Sequence, residues 1–157
     1  MRINNILVPT DFSKNAQAAF TMAYGLAQQL QAKLFVLHVQ DESTLRIALK
    51  EGLVEEASTD EELQDKIHEL IRMRFSSLLA GADESVVPIE YLHKHGDPKG
   101  KIVEYAEEIN ADMIVIGMHG ISAVTALMRT LLGSVTESVL RKSPCPTLVV
   151  RLDSDEK

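Results

Sequence analysis

Met113-Ile114-Val115-Ile116-Gly117-Met118-His119-Gly120 is the stretch on which the reading of this chain turns. Four consecutive apolar residues fit a short strand buried on both faces, and they run directly into a glycine pair. Gly133-Ser134 follows after a twelve-residue gap, Ile121 to Leu132, and Val135-Thr136-Glu137-Ser138-Val139-Leu140 continues as a helix. Strand, glycine pair, loop and Gly-Ser opening a helix together bring backbone N–H groups up to a phosphate chain. Glycine lets the main chain approach without a Cβ in the way. A helix N-terminus supplies unpaired donors and the positive end of a dipole, and the Ser134 hydroxyl adds a donor there. The segment predicts a nucleotide phosphate site.

Outward from this stretch, apolar runs alternate with helical patterns. Ile6-Leu7-Val8, Leu34-Phe35-Val36-Leu37 and Thr147-Leu148-Val149-Val150 read as further buried strands, and Val86 to His93, containing Pro88, as an edge strand. Ala16, Ala19, Phe20, Ala23, Leu26, Ala27 and Leu30 recur at helical spacing behind Ser13 as N-cap. Thr59-Asp60-Glu61-Glu62 is a capping box opening a helix with Leu63, Ile67, Leu70, Ile71, Phe75, Leu78 and Leu79 on one face, closed near Gly81. Asp97-Pro98 is an N-cap and a helix-starting proline ahead of Ile102, Val103, Ala106 and Ile109. The last helix is expected over about Ser134 to Arg141. In Glu42 to Ser58, the residues Leu45, Ala48, Leu49 and Leu53 suggest a helical insertion, read as a flap.

Such alternation implies right-handed crossovers and a parallel sheet covered on both sides. Ligands of these sheets sit beyond the carboxyl ends of the strands, where the strand order reverses. Asp11 follows the first strand and Gly117 the fourth, so both face one crevice if those strands are neighbours at the switch point.

Composition sets the outer bounds. The chain has 157 residues, enough for one domain with a real core. A net charge of −7 and the lack of a Lys/Arg stripe argue against nucleic acid as a partner, but not against a single nucleotide, which sees local donors. The first apolar run is too short for a signal peptide, and no stretch approaches the roughly 20 apolar residues of a membrane span. The single cysteine, Cys145, excludes an intrachain disulfide and suits a reducing cytoplasm. A cytoplasmic protein without membrane attachment is the expectation.

Three blocks now stand together: Ile6-Leu7-Val8-Pro9-Thr10-Asp11-Phe12-Ser13, then Gly117-Met118-His119-Gly120, then Leu132 to Leu140 leading into Ser143-Pro144-Cys145-Pro146-Thr147-Leu148-Val149-Val150-Arg151. In this order and at these distances they closely resemble the universal stress protein family, over essentially the whole chain except Glu42 to Ser58. Asp97-Pro98 adds to the likeness.

The resemblance implies a single α/β domain over residues 1–152, Rossmann-like and of the adenine nucleotide α-hydrolase kind, with a charged tail at 153–157. It implies a five-stranded parallel sheet of order 3-2-1-4-5 with helices on both faces. It further implies ATP bound with Mg²⁺ between the ends of strands one and four, and a homodimer joined along the last strand, Thr147 to Arg151. By position, Asp11 would approach the adenosine, with Pro9 and Thr10 shaping that wall and Val39 meeting the adenine through main-chain groups. Gly117, Met118, His119 and Gly120 would approach the ribose and phosphates, and Gly133, Ser134 and Val135 the phosphates. The chain departs from the family's ATP-binding pattern in one respect: Ile121 to Leu132 is three residues longer. Arg129 is the only cation in that loop, and its apolar residues suit packing onto a second subunit, up to a tetramer.

No catalytic residue emerges. His119 has no nucleophile or acid fixed beside it by sequence, so it reads as a structural histidine next to the ligand. His93 and His95 share one face at the end of the third strand, as two metal ligands would, but spacing places no third or fourth ligand and no metal is assigned. His38 in an apolar strand and His68 in a polar helix stretch read as structural. The function expected is a dimeric, nucleotide-dependent stress-response regulator with an unidentified signalling partner. The alternatives are a nucleotide-free dimeric interaction protein of the same family and, further off, a slow ATPase.

Overall fold

A computed structural model describes residues 1–52, 55, 59–120 and 132–152. Five strands form one parallel sheet: β1 (Asn5–Pro9), β2 (Lys33–Gln40), β3 (Ile89–His95), β4 (Met113–Gly117) and β5 (Thr147–Val150). Their order is β3-β2-β1-β4-β5, so the order reverses between β1 and β4, as expected. Alternation along the strands sorts the core into two layers. Ile6, Val8, Leu34, Val36 and Val115 face α1 (Lys14–Leu30), α2 (Glu42–Lys50) and α3 (Asp60–Leu78). Leu7, Phe35, Leu37, Ile114 and Ile116 face α4 (Pro98–Glu108) and α5 (Ser134–Lys142).

Caps set the helix starts where the sequence placed them. Ser13 Oγ accepts from Ala16 N at 3.2 Å, Thr59 Oγ1 from Glu62 N at 3.1 Å, and Asp97 Oδ1 from Lys99 N at 3.2 Å. Each satisfies one of the donors that a helix start leaves open.

Two local readings need correction. The edge strand begins after Pro88 and runs to His95, rather than covering Val86 to His93. Val86 and Val87 instead donate to the Asp83 carbonyl in a turn, while the Pro88 carbonyl accepts from Leu34 N at 2.9 Å. In α2 the buried face is Thr44, Ile47 and Ala48, while Leu45 and Leu49 are 41% and 53% exposed. The helix is docked on β2 and α3 through a threonine that the apolar pattern passed over. Leu53 and most of 53–58 lie outside the described residues.

Candidate functional site

The turn after β1 carries the first wall. Thr10 N donates to the Leu37 carbonyl at 2.8 Å, tying the end of β1 to β2. The Thr10 hydroxyl accepts from Phe12 N, and Asp11 Oδ1 accepts from Ser13 N, each at 3.0 Å. Phe12 stands between them at φ 62°, in the left-handed region. For a bulky L residue that costs about 1–2 kcal/mol. Burial of its ring against Phe75 (centroids 5.1 Å apart, edge-on) and His38 (4.7 Å) offsets this cost. The turn thereby holds Asp11 at the mouth of the sheet while Phe12 goes into the core.

His38 locks the same turn from below. Its Nδ1 lies 2.8 Å from the Thr10 carbonyl and its Nε2 3.0 Å from Thr44 Oγ1. A carbonyl can only accept, so Nδ1 carries the proton and Nε2 accepts from the threonine hydroxyl. Burial holds the imidazole below its ordinary pKa, against smaller raising effects from the Thr10 carbonyl and Asp11. One neutral histidine thus joins the β1 turn, β2 and α2.

The opposite wall is the glycine segment after β4. A Cβ on Gly117 would stand 2.9 Å from the carbonyl carbon and Cβ of Asn15, so this glycine is where α1 crosses β4 at closest approach. A Cβ on Gly120 would overlap the Asp11 carboxylate, and one on Gly133 would sit 3.0 Å from His119 Cα. These glycines have ordinary φ values; what they supply is room for the two walls to close on each other. Asn15 Nδ2 donates to His119 Nδ1 at 3.1 Å, fixing the ring as a neutral acceptor on that side. Thr136 Oγ1 donates to the Gly117 carbonyl, and Gly133 N to the Met118 carbonyl, which brings the loop's end back to its beginning.

Between the walls lies a cavity of about 300 Å³. Pro9, Thr10, Asp11, Val39, Gly117, His119, Gly120, Gly133, Ser134 and Val135, all expected from sequence, line it together. Met118 does not; its backbone serves the loop closure, its N donating to the Val150 carbonyl. Arg129 falls outside the described residues. The sequence reading missed Asp41, Glu42 and Arg46, from the start of α2, and Lys99 behind the Asp97 cap, all of which face the cavity. Asp41 was within reach of the rule applied to Asp11, since it follows β2 directly.

At the cavity's edge, Gly133 is the N-cap of α5 and makes no side-chain cap among the described residues. Ser134, Val135 and Thr136, at the start of α5, line the cavity, so the first N–H groups and positive dipole end of the helix stand beside it, with Glu137 the acidic residue of that first turn. The acidic Asp11, Asp41 and Asp97 and the basic Arg46 and Lys99 line the same space.

A second grouping appears at the β3 edge. His93 and His95 do share one face, and His68 from α3 joins them. Burial, then the proximity of the His68 and His95 imidazoles, holds His93 below its ordinary pKa.

The universal stress protein family model matches residues 2–151. Universal stress protein YxiE of Bacillus subtilis is 32% identical over 152 residues, covering 94% of this chain and 99% of its own. Among solved structures, hypothetical protein MJ0577 superposes with a TM-score of 0.77 at 29% identity, over 99% of this chain and 100% of its own. A universal stress protein in complex with cAMP has a TM-score of 0.59 at 24% identity, over 96% and 98% of the two chains. An Arabidopsis thaliana universal stress protein family protein with AMP bound has a TM-score of 0.61 at 18% identity, over 98% and 94%. These last two show likeness of fold.

Proposed function

Because the chain belongs to the universal stress protein family, we propose that its switch-point cavity binds an adenine nucleotide and that the protein acts as a nucleotide-dependent regulator. The observation that carries this is the start of α5, without a side-chain cap among the described residues, lining the same cavity as Asp11 and Val39. A phosphate at a helix N-terminus meets preset N–H donors and the positive dipole end. A carboxylate at the end of β1 suits ribose hydroxyls, and Val39, lining the cavity near the end of β2, suits an adenine edge through its main-chain groups. Proteins of this fold hold cAMP and AMP, which supports an adenylate over other nucleotides.

ATP with Mg²⁺ is the ligand proposed. Gly133, Ser134 and Val135 would hold the phosphates, with Lys99 and Arg46 as the described cations within reach of the same space. The nearby acids Asp11 and Asp41 suit a phosphate-bound cation. His119 already spends Nδ1 on Asn15, and we assign it a positioning role for the Gly120 wall.

The proposed regulator is a homodimer along β5. That strand is a sheet edge, and Leu148 on it and Leu140 on α5 are exposed. Unpaired edge backbone and apolar side chains together form a pairing surface.

The test is calorimetric titration of the nucleotide-stripped protein with ATP, AMP and cAMP, with and without Mg²⁺. Micromolar affinity, about −8 kcal/mol, is expected for ATP, tightened by Mg²⁺ and weakened in Gly133→Val. No heat at several temperatures and no thermal stabilisation at millimolar ATP would replace this reading with the nucleotide-free one.

A further inference from the structure

His68, His93 and His95 meet on the outer part of the α3 face of the sheet. His93 and His95 alternate onto that face of the edge strand β3, and His68 reaches it from α3. One ring nitrogen from each lies within 4.8 Å of the other two. The ring centroids are 5.2 Å (His68–His93), 5.6 Å (His93–His95) and 6.4 Å (His68–His95) apart, and the rings are tilted rather than stacked.

A histidine that only holds structure together is hydrogen-bonded to it. His38 is bound on both nitrogens and His119 on one. The three imidazoles at the β3 edge contact each other and make no hydrogen bond to another described residue. Protonated, they would repel one another. Neutral, they present converging lone pairs to solvent, since His68 and His95 are exposed and His93 half-buried.

We propose that His68, His93 and His95 form a binding site for a divalent transition metal of the zinc class, with a fourth coordination position open to water or an added ligand. Three neutral imidazoles are a donor set for Zn²⁺ and its neighbours in hardness, whereas Mg²⁺ and Ca²⁺ take oxygen. Tetrahedral coordination with Zn–N near 2.0–2.1 Å sets ligand nitrogens about 3.3 Å apart. The present spacing therefore closes by side-chain swings of roughly 1–1.5 Å, on two rings that have solvent to move through.

The backbone beneath needs no movement. Ile67, Leu70, Ile71 and Phe75 bury α3 in the core, so the helix ligand is presented to the strand ligands on a fixed frame. Gln40 stands in register with His95 on the neighbouring strand, and its buried Oε1 has no hydrogen-bond partner among the described residues. Its amide donates instead to Gln64, one turn before His68, at 3.4 Å. Ligating imidazoles commonly give their second N–H to such an acceptor. The site is separate from the switch-point cavity, and its existence does not depend on nucleotide binding.

The experiment is calorimetric titration of Zn²⁺ into the untagged, chelator-treated, nucleotide-free full chain, repeated on His68→Ala and His95→Ala. Both replaced side chains are exposed, so circular dichroism should show the fold retained, and either variant alone suffices. One ion per chain is expected, with affinity reduced at least about tenfold in each variant, a thermal upshift with Zn²⁺ that the variants lose, and Co²⁺ visible bands of four-coordinate intensity that vanish with them. No binding to the unmodified chain overturns the proposal. So does binding unchanged in the variants, which would put the ion on carboxylates of the cavity.

Discussion

The cavity between β1 and β4 and the imidazole patch on β3 belong to the same sheet, yet they are built from different parts. The cavity is mainly backbone: two turns, a helix start and three glycines that leave no room for a Cβ. Its turns are braced by committed side chains, Asp11 to Ser13 N, Asn15 to His119, His38 to Thr10 and Thr44. The patch is all side chain, on ordinary helix and strand backbone, with its polar atoms uncommitted among the described residues. A preset backbone site suits a ligand recognised through phosphate and ring edges. A loose side-chain site suits an ion that supplies the ordering itself. The first should be fragile to small steric change and the second tolerant of it.

The largest expected effect tests that fragility. Gly117→Val forces a Cβ against the Asn15 backbone at 2.9–3.0 Å. Main chain cannot yield as a side-chain tip would, so α1 must lift from β4. Overpacking of this kind costs roughly 1–3 kcal/mol, and the upper end is expected here because the obstacle is backbone. Urea unfolding should show the loss, and ATP binding should fall with it. A Gly117→Val protein as stable as the parent would mean that the walls are not closed on each other.

The same contrast explains what could be read from sequence. The sheet was legible because parallel strands buried on both faces are continuous apolar runs, and Ser13, Thr59 and Asp97 announce their helices locally. The cavity was legible because its parts sit at fixed offsets from strand ends, as Asp11 and Gly117 do. Two things were not. Phe12 in the left-handed region has no signature of its own; only the packing of His38 and Phe75 around its ring makes that backbone tolerable. His68 lies in a polar stretch of α3 whose meeting with β3 depends on how the helix crosses the sheet. Nothing in the spacing to His93 encodes that, so two of three ligands were visible and the third was not. Leu45 and Leu49 failed differently: they looked like a core stripe, but the buried face of α2 follows Thr44 and its bond to His38.

A middle-sized effect separates the two kinds of histidine by pH. Unfolded histidine titrates near 6.5, and folded His38 below that because burial penalises its charged form. Above about pH 6.5 both states are neutral and the full stability is present. As pH falls from there through the folded pKa, the unfolded state takes the proton first and stability drops, by at most about 1.4 kcal/mol per pH unit for one proton. His38→Asn keeps a donor for the Thr10 carbonyl and removes this proton, so its unfolding free energy should vary less between pH 7.5 and 5.5 than the parent's. His93 is lowered in the same direction, but it is only half-buried and must contribute less. His93→Ala should therefore flatten the profile by a smaller amount. Equal slopes in the parent and His38→Asn would show that the acid sensitivity lies elsewhere.

The smallest effect asks whether the cavity glycines are special or merely glycines. Gly25 lies inside α1, and a Cβ built there meets nothing within 4 Å. Its φ is not positive, so alanine fits the helix without strain. Gly25→Ala should stabilise the protein by about 0.5–1 kcal/mol, through the conformational entropy that glycine loses on folding, and leave ATP affinity unchanged. Gly25 lies in α1 with open space around it and Gly117 in β4 against the Asn15 backbone of α1, so an added side chain is expected to change stability in opposite directions at the two. If Gly25→Ala destabilised the chain instead, α1 would be pressed more closely by its surroundings than the open space at Gly25 implies, and the intolerance of Gly117 could no longer be assigned to the wall contact with Asn15 alone.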